Sequence, residues 1–353
     1  MPHAATARET ADTRPDLPGP SVYVPYGELG ATPNIIVDGP PQKATVLTLS
    51  HWPNNDTPAE LRRDTSTAIA FAYLDEPALH RTEGIVSNSH FDEDGLFSMF
   101  ALVDPASALL HRRLLIDASR AGDFGVFEHR DAARLAFTIE AYTDPERSPL
   151  PKAVFAGCEQ RRTAKLYSAM LVELPLILAA LADYKSCWQM QDEHLAQSQA
   201  WLSDGTVQIE EIPGLDLALV RLPLELPEAA ARRYLQTERA PVHPFAIHER
   251  THCNRLLRIQ GQRYELQYRY ESWVQVQSRR PALRVSLEGL AERLNALETA
   301  PGNWCAEGVM EVAPRLYLDG VEASGLDEQA FVELVSDHLA NAPVAWDPYN
   351  WQA

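Results

Sequence analysis

The stretch Gly84-Ile-Val-Ser-Asn-Ser-His90-Phe-Asp-Glu-Asp-Gly95-Leu-Phe-Ser-Met-Phe-Ala-Leu102 decides how the chain is read. It opens as a short β-strand rich in branched residues, passes through a polar turn, and continues as an apolar helix. Strand, carboxylate-rich turn and helix in that order predict an α/β unit whose chemistry sits where the strand ends. In extended backbone, side chains at i, i+2 and i+4 share a face. His90, Asp92 and Asp94 are therefore expected to converge, with Gly95 allowing a tight turn into the helix.

The same grammar recurs on both sides of this stretch. Ser21–Tyr26 and Asn34–Asp38 read as strands, and Ala44–Ser50 reads as a third that ends at His51. A helix is predicted over 58–74, with Pro58 at its start and Glu60 in the first turn. Arg113–Asp117 reads as another strand, followed by a loop over 118–124. Strands alternating with helices imply a mainly parallel sheet flanked by helices. Long helices are expected over 160–202, strands over 206–211 and 215–222, and a helix near 227–236. A hairpin is expected around Gln260-Gly261, with closing helices near 286–297 and 327–340. The expected architecture is α/β: a Pro/Ala/Thr-rich disordered leader over 1–20, an α/β metal-binding domain over 21–160, a helical linker over 161–204, and a smaller α+β substrate or cap domain over 205–353.

Composition narrows the function classes. The 353 residues are 45% hydrophobic and 23% charged, as in ordinary globular chains. The formal charge of −18 disfavours long nucleic acids and anionic membranes, which are held through clustered Lys and Arg. The most apolar stretch, Leu171–Leu181, contains Glu173 and Pro175 and is too short to span a bilayer. Cys158, Cys187, Cys253 and Cys305 are scattered, which suggests reduced thiols and a cytoplasmic setting. The partner this leaves is a small anionic substrate, and a homodimer is one assembly the sequence allows.

Mixed imidazole and carboxylate donors suit a divalent transition metal, manganese before iron or zinc. His90, Asp92 and Asp94 lead the candidates, and helix capping is the competing reading of the two aspartates. His51, Asp56, Asp117 and Asp123 could complete the set, since each lies at or just beyond the end of an expected strand. His248-Glu-Arg-Thr-His252 has the HExxH spacing of zinc proteases, but His243-Pro244 upstream and the hairpin downstream deny it a helical setting. His248 and His252 are then residues for a substrate pocket. Arg279, Arg280 and Arg284 would clamp a substrate anion, because guanidinium pairs with phosphate or carboxylate in a bidentate way. No Gly-x-Ser-x-Gly elbow, Walker A sequence or Gly-x-Gly-x-x-Gly fingerprint occurs.

His90-Phe-Asp-Glu-Asp-Gly-Leu-Phe-Ser98 resembles the first motif of DHH-type phosphoesterases, and Asp117 would resemble that family's second-motif aspartate. The C-terminal part is loosely similar to the DHH-associated domain, with Arg269–Arg280 in the substrate-binding strand and Gly302–Gly308 in place of the glycine-rich loop. The chain has no Asp-His-His triplet and no Gly-Gly-Gly-His sequence. The resemblance implies a metal-dependent hydrolase acting on a small phosphoester. Two other functions fit the same residues. One is a non-haem iron enzyme. The other is a non-catalytic ligand-binding or scaffold protein that uses Trp304 and the aromatic segment Trp346–Trp351.

Overall fold

The computed structural model describes residues 17–233 and 236–350. Most of the expected leader, and Trp351, fall outside them. Strands β1 (Val22–Tyr23), β2 (Asn34–Val37) and β3 (Thr45–Leu49) are followed by helix α1 (Ser66–Leu74) and strand β4 (Ile85–Ser87). The four strands form a parallel sheet in the order β1-β4-β2-β3. All of β2 is buried, which is why its residues read as a continuous apolar run rather than an alternating one. This order places β2 between β4 and β3. The residues that follow these three strands therefore meet along one edge of the sheet.

Helix α2 (Glu93–Val103) leaves the turn after β4, and α3 (Pro105–Leu110) follows it. Phe97 and Phe100 of α2 and Phe71 of α1 are buried in a core shared with the sheet. Next come α4 (Arg112–Phe124), α5 (Arg130–Thr143), α6 (Glu159–Ala179) and α7 (Lys185–Ser203). Leu166, Tyr167, Met170, Leu174 and Ile177 of α6 belong to the same core as the parallel sheet. Among the described residues, no single helix is long and apolar enough to cross a membrane.

The predicted strand at Arg113–Asp117 is a correction. The run lies inside the 13-residue helix α4, which buries Leu115, Ala118, Ala121 and Phe124 at helical spacing and ends in left-handed Gly125. Three apolar residues in a row do not separate strand from helix, and the alanines that follow favour the helix.

Strands β5 (Gln208–Ile212) and β6 (Leu217–Arg221) precede a hairpin of β7 (Ala229–Arg233) and β8 (Gln236–Ala240). The helix expected near 227–236 is therefore β-structure, paired within its own two-stranded sheet. Helix α8 (Pro244–His248) leads to β9 (Arg255–Gln260) and β10 (Arg263–Tyr268), joined through left-handed Gly261 as the turn predicts. The remaining elements are β11 (Arg284–Val285), α9 (Glu288–Leu297), β12 (Asn303–Ala306), β13 (Arg315–Asp319), α10 (Glu328–Asn341) and β14 (Val344–Trp346). A six-stranded sheet runs β12-β13-β10-β9-β6-β5, antiparallel except between β6 and β9. Leu217, Leu219, Leu257 and Ile259 pack with α9 and α10 in one core. The alternate residues Ala218, Val220 and Leu256 face the other side with Val242 and Ile247.

Glu298, after α9, pins this end of the molecule. Its carboxylate accepts from Trp304 Nε1 at 2.9 Å, Ser324 Oγ at 2.6 Å and the backbone N–H groups of Ala300 at 2.9 Å and Gly325 at 2.7 Å. Burial opposes its charge, but these donors win and bring its pKa down to about 2. A depressed carboxylate pKa adds stability above the ordinary carboxylate range and loses it as pH falls toward about 2. Glu298→Gln is expected to cost about 2 kcal/mol in urea unfolding at neutral pH. The gap between variant and wild type should close in acid; a gap independent of pH would contradict this account.

Candidate metal centre

Three parallel strands deliver Asp38, His51 and His90 to their carboxyl ends. Asp38 follows β2 with φ 46°, a left-handed conformation that aspartate tolerates better than most residues and that turns its side chain out of the strand register. Its carboxylate is 1% exposed and stands between two imidazoles. Asp38 Oδ1 is 3.5 Å from His51 Nε2, and Oδ2 is 3.3 Å from His90 Nε2. Ser66 Oγ donates to Oδ1 at 2.8 Å, while Oδ2 is buried and accepts no hydrogen bond.

The turn after β4 supplies the rest. Asp92 caps α2, its Oδ1 accepting from the Gly95 amide at 2.8 Å, while Oδ2 lies 2.9 Å from His90 Nε2. Capping and clustering are thus not rivals here, since one oxygen serves each. Asp94 lies within the first turn of α2 but caps α1: Oδ1 accepts from the Thr67 amide at 2.7 Å and Oδ2 from the Ser66 amide at 2.6 Å. Asp94 Oδ2 is also 3.8 Å from His51 Nε2. The predicted convergence of His90, Asp92 and Asp94 along extended backbone is corrected in its geometry, because the chain turns into helix at Glu93. Gly95 is required for closeness rather than for a turn. A Cβ there would lie 2.5 Å from Asn88 Nδ2 and 2.6 Å from Tyr167 Oη.

The proton on His51 can be assigned by its partners. Nδ1 sits 2.6 Å from the Asp64 carbonyl, which only accepts, so Nδ1 carries hydrogen and Nε2 is the nitrogen turned to the cluster. Around that Nε2 stand Asp38, Asp94 and Asp123, the last at 3.5 Å through an Oδ2 that is buried without a hydrogen bond. Imidazole nitrogen and carboxylate oxygens converging in this way form a donor set that a divalent cation would satisfy. Two triads place candidate ligand atoms within 4.8 Å of one another, Asp38–His51–Asp94 and Asp38–His90–Asp92, and Asp38 belongs to both.

The C-terminal part closes the site. Gln275 N–H donates to the His51 carbonyl at 2.8 Å, and Gln277 and Ser278 N–H donate to Asp64 Oδ1 at 2.6 and 2.8 Å. Tyr270, buried, brings its hydroxyl 3.4 Å from His51 Nε2. Trp52 stacks beside His90 with ring centroids 4.9 Å apart and meets Trp273 edge-on at 5.1 Å. The open side is at His90 and Asp92, whose side chains are 19% and 14% exposed. They border a cleft of about 430 Å³ that Glu93, Asp144, Glu159 and Arg162 also line.

Several expected residues lie elsewhere. Asp117 is buried inside α4 and accepts from the Glu128 and His129 amides at 2.8 and 2.9 Å, which anchors the start of α5. Asp56 is exposed on its loop and belongs to neither triad. Helix α8 ends at His248, so the HExxH residues straddle a helix end and cannot share a helix face. His248 Nδ1 is 2.8 Å from the Phe124 carbonyl, and His252 lines a separate surface pocket with Arg279 and Arg280. Arg279 is committed to Glu271 at 3.0 Å and to the His252 carbonyl, and Arg280 lies over the Tyr349 ring at 4.5 Å. Arg284 is buried among main-chain carbonyls. Asp38 and Tyr270 escape the sequence reading. Asp38 had the signal that singled out His51, a polar residue ending an apolar strand.

A profile match covers residues 20–350. The chain belongs to DUF6687, a family of unknown function. No curated protein and no solved structure matches it. For this DUF6687 member the site's chemistry therefore has to come from its own geometry.

Crowding gives that geometry a pH signature. Burial, then the neighbouring Asp38, pushes the Asp94 carboxyl up to about 7 even though His51 and Thr67 oppose the shift. Burial and the Asp94, Asp92 and Asp38 carboxylates likewise push Asp123 well above its ordinary value. A raised folded-state pKa contributes stability below the ordinary carboxylate range and loses it as pH rises to about 7. Metal-free protein should lose stability across that window, and Mn²⁺ should bind about tenfold more tightly per pH unit for each proton displaced. Calorimetric Mn²⁺ titrations below and above neutrality check both, and pH-independent affinity would count against the site.

Proposed function

We propose that this chain is a metal-dependent hydrolase of a small anionic substrate, with a phosphoester the leading candidate. One observation carries the reading: the buried Asp38 carboxylate turns one oxygen to His51 and the other to His90, each imidazole having further carboxylates beside it. With His51 and Asp94 on one side and His90 and Asp92 on the other, Asp38 would help to hold divalent cation charge at this place. The oxygen-rich donor set without a thiolate favours Mn²⁺ over Zn²⁺. Bound divalent cations would lower the pKa of water and offset the charge developing on the substrate.

The chain's own groups supply the remaining roles. Asp123 stands beside the triads rather than in them, and its buried Oδ2, 3.5 Å from His51 Nε2 and without a hydrogen bond, is placed to take the proton of the attacking water. Tyr270, kept protonated by burial and the surrounding carboxylates, is suited to donate toward the leaving oxygen. Trp52 packs against one face of the His90 ring and meets Trp273 edge-on, leaving the cleft side of His90 and Asp92 for the substrate to enter. The likeness of His90–Ser98 to the DHH-type first motif supports the same class.

Elemental analysis of Mn²⁺-loaded protein beside Asp92→Asn tests the reading, because asparagine retains the Oδ1 cap on Gly95 while removing a ligand charge. The variant is expected to hold less metal, with affinity reduced by more than ~10-fold. A phosphatase and phosphodiesterase panel with Mn²⁺ should show turnover that the variant lacks. Equal metal content in both proteins would sink the proposal.

A further inference from the structure

We infer that a small cavity on the far side of Asp123 receives a short, uncharged aliphatic substituent of the substrate; this rests on the hydrolase reading above. The cavity measures about 50 Å³ and lies between the end of α4, helix α8, the β7–β8 hairpin and the face of the six-stranded sheet opposite α9 and α10. Asp123 borders it, and the same side chain approaches His51 Nε2 at 3.5 Å with an Oδ2 that is buried and lacks a hydrogen bond. Asp123 is thus common to the cavity wall and to the surroundings of His51.

The walls specify the occupant. Ala231, Ala240, Val242, Phe245, Ile247 and Leu256 make the lining mainly apolar. Arg258 is matched by Glu265 and Glu238 by Arg315 at 3.2 Å, and Asp123 is turned toward His51, so a charged guest in the apolar part of the cavity would have no counterion beside it. Gly125 lets the wall come close: a Cβ there would stand 2.6 Å from His248 Nδ1, and φ is +66°. A void of this size weakens folding by roughly an order of magnitude in the equilibrium constant, a cost that a binding role would explain. Its volume admits only a few carbon atoms, more than a methyl group and less than an aromatic ring.

The test compares methylphosphonate with n-propylphosphonate on the Mn²⁺-loaded full-length chain by calorimetry. Each buried methylene favours binding about fourfold, so the propyl compound should bind roughly fifteenfold more tightly. Ala240→Val, which fills the cavity with two methyl groups, should abolish that advantage without changing metal content. Ala231→Val serves if the first variant does not fold. Xenon, followed through methyl resonances of Ala231, Ala240 and Val242, reads the cavity without metal and should bind wild type only. Phosphonates that bind wild type without regard to chain length would overturn the inference and leave the metal reading intact. Xenon binding with no phosphonate binding by metal-loaded protein would instead remove the hydrolase reading, and the substrate role of the cavity with it.

Discussion

Asp38→Asn is expected to move metal binding and metal-free stability in opposite directions. In the absence of a cation, Asp38 crowds Asp94 and Asp123, and it is among the causes that push both carboxyls upward. Removing its charge relieves that repulsion. Asparagine Oδ1 can still accept from Ser66 Oγ, and His90 Nε2, whose hydrogen faces the Asp92 carboxylate at 2.9 Å, keeps that partner. Metal-free Asp38→Asn should therefore be more stable than wild type by about 1 kcal/mol or more, one pKa unit of relief being worth ~1.4 kcal/mol. The same substitution removes the group shared by both triads. Mn²⁺ affinity should fall by well over ~100-fold, exceeding the loss usual for groups that merely orient ligands. Thermal unfolding in chelator and in Mn²⁺ reads both effects. The site account fails if the variant retains wild-type metal content and wild-type stabilisation by Mn²⁺. A gain in stability on losing a functional charge is the usual trade at sites assembled against electrostatic repulsion.

Arg284→Ala is expected to unfold the C-terminal part rather than weaken substrate binding. Arg284 is 0% exposed. Its Nε donates to Ser272 Oγ at 2.8 Å, Nη1 to the Val309 and Glu311 carbonyls at 3.0 and 2.6 Å, and Nη2 to the Val312 carbonyl at 2.7 Å. The guanidinium also packs 5.4 Å from the Tyr268 ring centroid. Truncation strands several buried carbonyls and opens a cavity, which together cost on the order of 3–5 kcal/mol. Lysine keeps the charge but lacks the planar fork, so Arg284→Lys should recover only part of the loss. Urea unfolding measures it. Unchanged stability in Arg284→Ala would restore the anion-clamp role expected from sequence.

Much of the fold was legible because it follows from local rules. The Gln260-Gly261 turn announces the β9–β10 hairpin, and the apolar runs before His51 and His90 announce buried parallel strands. Errors arose where a short apolar run fits two periods. Leu114-Leu115-Ile116 fits a strand by its sequence and lies in α4, and the predicted helix near 227–236 is paired β-structure. The first error carried Asp117 into the expected ligand set. Asp123 belongs beside the cluster, but it arrives on a helix rather than on a loop.

By itself, the sequence determined that His90, Asp92 and Asp94 sit at a strand-to-helix turn, since backbone periodicity and capping act over a few residues. It also determined the acidic, metal-compatible character of the donor set. Only the tertiary structure decided that β2 lies between β3 and β4, and so that Asp38 stands between the two imidazoles. Strand order is settled by packing among residues far apart in the chain, and no local pattern encodes it. The same holds for Tyr270, which reaches His51 across 219 residues of sequence because the Gln275–Ser278 backbone is hydrogen-bonded to the loops carrying His51 and Asp64.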